Sequence, residues 1–210
     1  MNQKKTYIMV KNYTDKQLLD RVKSLESFKN IPDDYWIIFV RSANPISDRF
    51  DDKAYLYKGE RFIMRGTCTT HAGKSILIGG FKRYNKKGTA VMKADEWNYN
   101  THKYGLHRGK MPAFRQVKKI KYYRDGDCDE VAEELGKVYD NIIYMNIHGT
   151  TYHRGRDIVR SRIGSWSAAC LTFNDNLLYE KLISICKPQK ILSFALINEG
   201  LLELAAGYCQ

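Results

Sequence analysis

Long apolar runs are missing from this chain of 210 residues. No stretch approaches the ~20 residues that cross a bilayer as a helix, so no membrane segment is expected. Proline is scarce, at four, and the fifteen glycines fall into no repeat, which excludes a collagen-like, low-complexity or linker-dominated chain. The five cysteines (Cys68, Cys128, Cys170, Cys186 and Cys209) form neither a CxxC pair nor an even framework, so no disulfide scaffold is expected and at least one thiol is left over. At the N-terminus, lysines precede an apolar stretch that runs only from Tyr7 to Val10. That is far too short for a signal sequence, and the expectation is a protein cytoplasmic at synthesis.

What is present suits a folded domain. Hydrophobic residues make up 43% and charged residues 28%, enough of each to close a core and keep it in solution. Fifteen tyrosines and eight phenylalanines favour strands over a coiled coil. Lysine and arginine number 35 against 23 acidic residues, a net +12, which would suit a polyanion such as nucleic acid or an anionic wall polymer. Nucleic-acid binding is not the expectation, because no zinc-finger, RNP or helix-turn-helix pattern accompanies the charge. The densest cluster, Lys118-Lys119-Ile120-Lys121, alternates as a solvated strand face does.

Along the chain, Leu18, Leu19, Val22, Leu25 and Phe28 recur at helical spacing. Thr14 as N-cap and Gln17 three residues on predict an amphipathic helix over 14–28. Residues 1–34 are therefore read as a helical extension packed on a domain spanning 35–210. Tyr35 to Val40 reads as a buried strand, and Ala54–Tyr57 with Arg61–Thr67 as a hairpin about Lys58-Gly59-Glu60. Further strands are predicted at 88–92, 114–117, 120–124, 142–148 and 191–197. A turn is predicted at Arg124–Asp127, a short helix at Val131–Val138 and a second amphipathic helix at Asn174–Cys186. The class is mainly β, a β-rich α+β fold with peripheral helices.

Two segments carry candidate chemistry. One, Asn146-Ile147-His148-Gly149-Thr150, puts a histidine at the end of an apolar strand. The other, Gly164-Ser165-Trp166-Ser167-Ala168-Ala169-Cys170, puts a cysteine among small residues ahead of a helix. Acyl chemistry needs a thiolate nucleophile, an imidazole to take its proton and an acceptor that fixes the imidazole tautomer. The 22 residues between His148 and Cys170 suit two adjacent strands joined by a long loop. Each residue alone also has a plain reading, the cysteine as a small buried hydrophobe and the histidine as a satisfied one. Zinc is the other use of such side chains. The set His102, His107, Asp125, His148 and Cys170 has suitable donor types but no tight pair such as HxH or HExxH, so neither metal nor cofactor is expected. The aromatics Tyr55, Tyr57, Trp97, Tyr99 and Tyr104 fit strand packing better than a groove.

Four blocks stand in order: Gly105-Leu106-His107-Arg108-Gly109-Lys110-Met111-Pro112-Ala113, Tyr123-Arg124-Asp125, Asn146-Ile147-His148 and Trp166-Ser167-Ala168-Ala169-Cys170. Together they resemble the L,D-transpeptidase catalytic domain, the YkuD-type fold, in a divergent, often phage-associated branch, over roughly residues 36–175. The resemblance implies a β-sandwich or barrel, Cys170 as nucleophile, His148 as its base and the Gly149 carbonyl as the imidazole's orienting acceptor. It further implies an oxyanion hole from the N–H groups of Ala169 and Cys170. By position, His107, Trp166 and Ser167 are the candidates for substrate contact, Trp166 equally well placed to wedge the loop. The partner the resemblance implies is a peptidoglycan stem peptide, acylated onto sulfur and passed to an amine or to water. Three positions depart from the family. Its histidine two before the cysteine is Ala168, its glycine directly before it is Ala169, and its arginine two after it is Thr172. With the missing signal sequence, these departures keep a second class open: a non-catalytic structural or wall-binding component of a phage particle, associated with other virion proteins.

Overall fold

The run Tyr35–Arg41 is apolar at nearly every position because both of its faces are covered. In the computed structural model, which describes residues 11–43 and 47–200, it is the first strand, β1, of a closed eight-stranded barrel. Ile37 and Phe39 point into the main core, while Trp36, Ile38 and Val40 point into a second layer outside it. A strand alternates faces at each residue, so two apolar layers require an unbroken apolar run.

β1 pairs with β2 (Asp52–Lys58), which turns at Gly59 into β3 (Arg61–Thr69). On the other side β1 lies parallel to β11 (Ile191–Asn198), which runs antiparallel to β5 (Glu96–His107). β5 folds back as β6 (Met111–Gln116), and β6 meets the short β9 (Ile147–His148). β9 is parallel to β10 (Leu171–Phe173), and β10 closes the barrel against β3. A three-stranded sheet of β4 (Thr89–Met92), β7 (Ile120–Asp125) and β8 (Tyr139–Asn141) stands beside it. The fold is mainly β with a few helices.

Helix α1 (Asp15–Lys23) carries the expected capping box between Thr14 and Gln17. It ends at Ser24, earlier than the periodicity predicts. Leu25 and Phe28 still join the apolar layer from the following turns, so side-chain spacing outlasts helical backbone. Leu18 and Val22 are fully buried against Trp36, Tyr57 and Trp97, each burial contributing about 1.5–3 kcal/mol. The aromatics of strands β2 and β5 are accordingly packing residues: Trp36 lies 4.9 Å from Trp97 and 5.3 Å from Tyr57, and Trp97 stacks on Tyr99 at 4.9 Å. Helix α2 (Asn176–Cys186) is capped by Asp175, whose carboxylate accepts from Leu178 N–H, and it joins the main core through Tyr179, Leu182, Ile183 and Cys186.

Three expectations need correction. Val131–Val138 is not helical. Its backbone is diverted by side chains: Asp125 accepts from Glu133 N–H, Asp129 from Val131 N–H, and Glu134 is held by Arg41 and by Ala94 N–H. The strand predicted over 142–148 is broken between β8 and β9, with Tyr144 at φ 62°. The twelve-residue β5 was not foreseen as one strand, because Asn98, Asn100, His102 and Lys103 interrupt its apolar pattern. The N-terminal stretch Tyr7–Val10 and Cys209 lie outside the described residues.

Candidate active site

The break before β9 is built by one side chain. The Gln116 carboxamide oxygen accepts from Ile143 N–H (3.1 Å) and Met145 N–H (3.0 Å), while its nitrogen donates to the Lys118 and Asn141 carbonyls. The three bonds to Asn141, Ile143 and Met145 replace the strand ladder and steer the chain into Asn146-Ile147-His148 (Gln116 is buried, as this requires). β10 then aligns Thr172 with His148 and Leu171 with Ile147, placing Cys170 at the mouth of the neighbouring strand.

The cysteine loop is fixed from both sides. Gly73 N–H donates to the Ser167 carbonyl (3.0 Å), and Thr89 Oγ1 donates to the Ala168 carbonyl (2.7 Å). A side chain at residue 73 would strike the Gly164 carbonyl oxygen at 1.9 Å, so only glycine allows that approach. The 70–73 segment is itself anchored through buried Asp52, which accepts from Thr70 N–H and Thr70 Oγ1.

Within this frame Cys170 Sγ and ring nitrogens of His148 and His107 all lie within 4.8 Å of one another. The His148 Nδ1–H donates to the Gly149 carbonyl at 2.7 Å, which puts the proton on Nδ1 and makes Nε2 the acceptor nitrogen. That Nε2 faces Thr172 Oγ1 at 3.5 Å. Gly149 is required here: a Cβ would sit 2.8 Å from Tyr179 Cδ1. The tautomer of His107 follows from an amide. Asn146 Oδ1 accepts from Gln116 N–H (3.1 Å), so Asn146 Nδ2 donates to His107 Nδ1 (3.0 Å) and the His107 proton sits on Nε2. His107 enters from the β5–β6 hairpin and stacks on His148 with ring centroids 4.2 Å apart.

Cys170 Sγ accepts from Asn146 N–H at 3.4 Å, and its own proton points toward the Tyr144 carbonyl at 3.8 Å. Burial pushes its pKa up to about 11, against the pull of the Asn146 N–H and Arg108. Burial, the neighbouring His107 and Arg108 push His148 down to about 3. Burial and two arginines, Arg108 and Arg115, push His107 down to about 4. The resting pair is therefore thiol and neutral imidazole, not an ion pair. Any attack by Cys170 would need deprotonation to accompany it, and Nε2 is the His148 nitrogen with a lone pair to take the proton.

The other candidate residues are accounted for individually. Ser167 is fully buried, donates to the Cys170 carbonyl (2.8 Å) and accepts from Ala169 N–H (3.3 Å), which makes it a positioning residue. Ala169 has φ 150°, in the region that favours glycine, and its N–H is spent on Ser167 rather than turned to the site. Trp166 packs on Tyr152 (5.5 Å) and under Arg160 (5.0 Å), on the loop flanking the cysteine. Of the possible zinc donors, His102 is buried elsewhere, its Nε2 facing the Met145 carbonyl at 2.7 Å, and Asp125 belongs to the separate sheet on β7. Sequence reasoning gave no role to Gln116, Asn146 or Tyr144. Their signal is backbone geometry, which composition does not carry.

A cleft of about 210 Å³ runs from Met111 and Pro112 past Thr151–Arg154 to Tyr179, Glu180 and Lys187. Its lining includes Thr151 and Tyr179 but not Cys170 or His148. No family model matches the chain, and neither curated proteins nor solved structures give a significant match.

Proposed function

We propose that this protein is a cysteine-dependent acyl-transfer enzyme acting on peptidoglycan stem peptides, in the manner of the L,D-transpeptidase-like domains its sequence resembles. The observation that carries the reading is the convergence of Cys170 Sγ and His148 across adjacent parallel strands, with Gly149 fixing the tautomer that leaves Nε2 as base. In this reading Cys170 Sγ attacks the acyl carbonyl of the stem as His148 Nε2 takes the thiol proton. The tetrahedral intermediate collapses as the imidazolium returns that proton to the departing amine, leaving a thioester. An amine or water then attacks the thioester, gives its proton to His148, and the cysteine leaves as thiol once reprotonated.

Incubating purified protein with muropeptides tests this. Wild type is expected to give cross-linked or shortened products and a trappable thioester, both lost in Cys170→Ala. Identical product profiles from the two proteins refute the role.

The raised Cys170 pKa and the spent Ala169 N–H favour one other reading: a wall-binding component of a phage particle that retains the fold without turnover. It predicts co-sedimentation with peptidoglycan that survives Cys170→Ala, with no product from either protein.

A further inference from the structure

A thiol–imidazole pair needs one histidine, yet this site holds two. His107 brings a third donor within 4.8 Å of the other two, from a different hairpin. Two imidazoles and a thiol are the donor types that thiophilic divalent cations select. A tetrahedral zinc ion sets such donors about 3.4–3.6 Å apart, given its usual bond lengths to sulfur and nitrogen. Closing the three atoms from within 4.8 Å to that spacing takes side-chain rotation, not refolding. His107 and Cys170 are each only partly buried, and the His107 hairpin carries Arg108 and Gly109 in left-handed conformations.

The surroundings are also those of ligands already oriented. His148 donates its second nitrogen's proton to a backbone carbonyl, the usual support for a metal-bound imidazole. Cys170 Sγ accepts a backbone N–H from Asn146, which would stabilise a thiolate. Two things are set against an ion: the Asn146 carboxamide donates to His107 and fixes the proton on Nε2, and the positive charge of Arg108 bears on all three donors.

We propose that His107, His148 and Cys170 form a three-donor site for a thiophilic divalent cation, zinc being the probe, and that its occupancy withholds the thiol from reaction. Binding converts the Cys170 S–H and the cation into an S–metal bond and a proton released to solvent, with water completing the coordination. The site itself does not depend on the function proposed above; only the consequence for turnover does.

The test titrates the full-length protein with zinc and with cobalt(II), and follows alkylation of Cys170 by mass spectrometry in parallel. One ion per chain is expected, with thiolate-to-cobalt charge-transfer absorption and protection of Cys170 from alkylation. His107→Ala and Cys170→Ser should each weaken binding about tenfold or more. Asn146→Asp should tighten it, because a carboxylate accepts the Nδ1 proton of His107 and frees Nε2 while still accepting from Gln116 N–H. Binding that neither variant weakens, or a cobalt complex without the sulfur band, overturns the site. Muropeptide turnover measured without metal is a separate readout. A turnover enzyme blind to zinc sinks this inference alone, and a zinc-binding protein without turnover sinks only the acyl-transfer reading.

Discussion

At the scale of single residues, two expectations follow from Ala169 and the Cys170–His148 pair. Ala169 holds φ 150° beside Cys170, a conformation costing on the order of 1–3 kcal/mol for a residue with a Cβ. Ala169→Gly removes that strain, against a smaller entropic loss in the unfolded chain. A gain of about 1 kcal/mol in denaturant unfolding is expected, and a loss of stability would show that the strain is absent. The second concerns pH. With His148 near 3 and Cys170 near 11, the thiol–imidazole form is dominant throughout the range between them. The pH profile of kcat/KM should be flat from about pH 5 to 9 rather than bell-shaped about neutrality. A limb near pH 6–7 would mean that the site titrates as an ion pair.

Between elements, what positions His148 is the contact of β9 with α2. Gly149→Ala would set a methyl group 2.8 Å from Tyr179 Cδ1, and Tyr179 is pinned by its hydroxyl to the Ile147 and Pro112 carbonyls. Neither side can give way freely. We expect a loss of about 1–3 kcal/mol in stability. A larger proportional fall in kcat is also expected, because the carbonyl holding His148 Nδ1 moves with the clash. Thermal melts and steady-state kinetics on one preparation separate the two effects. It was also at this scale that the sequence was legible or not. The doubly apolar strands β1 and β11, the Thr14 cap and α2 are written in local pattern. β5 is not, because Asn98, Asn100, His102 and Lys103 interrupt its apolar pattern. Nor is the break at 142–146, which depends on a carboxamide 27 and 29 residues away in the chain from the groups it binds. His148 and Cys170 could be named from their neighbours. The stacking of His107 on His148 required the barrel's closure and could not be read from spacing.

For the molecule as a whole, four buried or half-buried imidazoles set the acid limit. His71, His102, His107 and His148 all have pKa values lowered chiefly by burial. A lowered pKa in the folded state means that the unfolded chain binds the proton more readily. Each contribution is present above the unfolded value of about 6.5 and is lost as pH falls toward the folded one. Around pH 5 the unfolded chain holds more protons on these rings than the folded one, so stability declines as pH falls there. Asp125, raised to about 6 by burial and its acidic neighbours, works in the opposite direction. Melting temperature should therefore drop steeply below pH 6 and change little from 7 to 9. An unfolding curve insensitive to pH between 4 and 7 would contradict the burial of these rings.

The parallel pairing of β1 with β11 carries a temporal consequence. A nascent chain leaving the ribosome holds β1 early but cannot cover its open edge until residues 191–198 emerge. Both members of the thiol–imidazole pair are synthesised before that, on strands whose barrel still lacks a stave. Competence for the proposed chemistry would then arrive only once that strand has been made, and a translation product stopped short of Asn198 should lack it however complete its reactive residues.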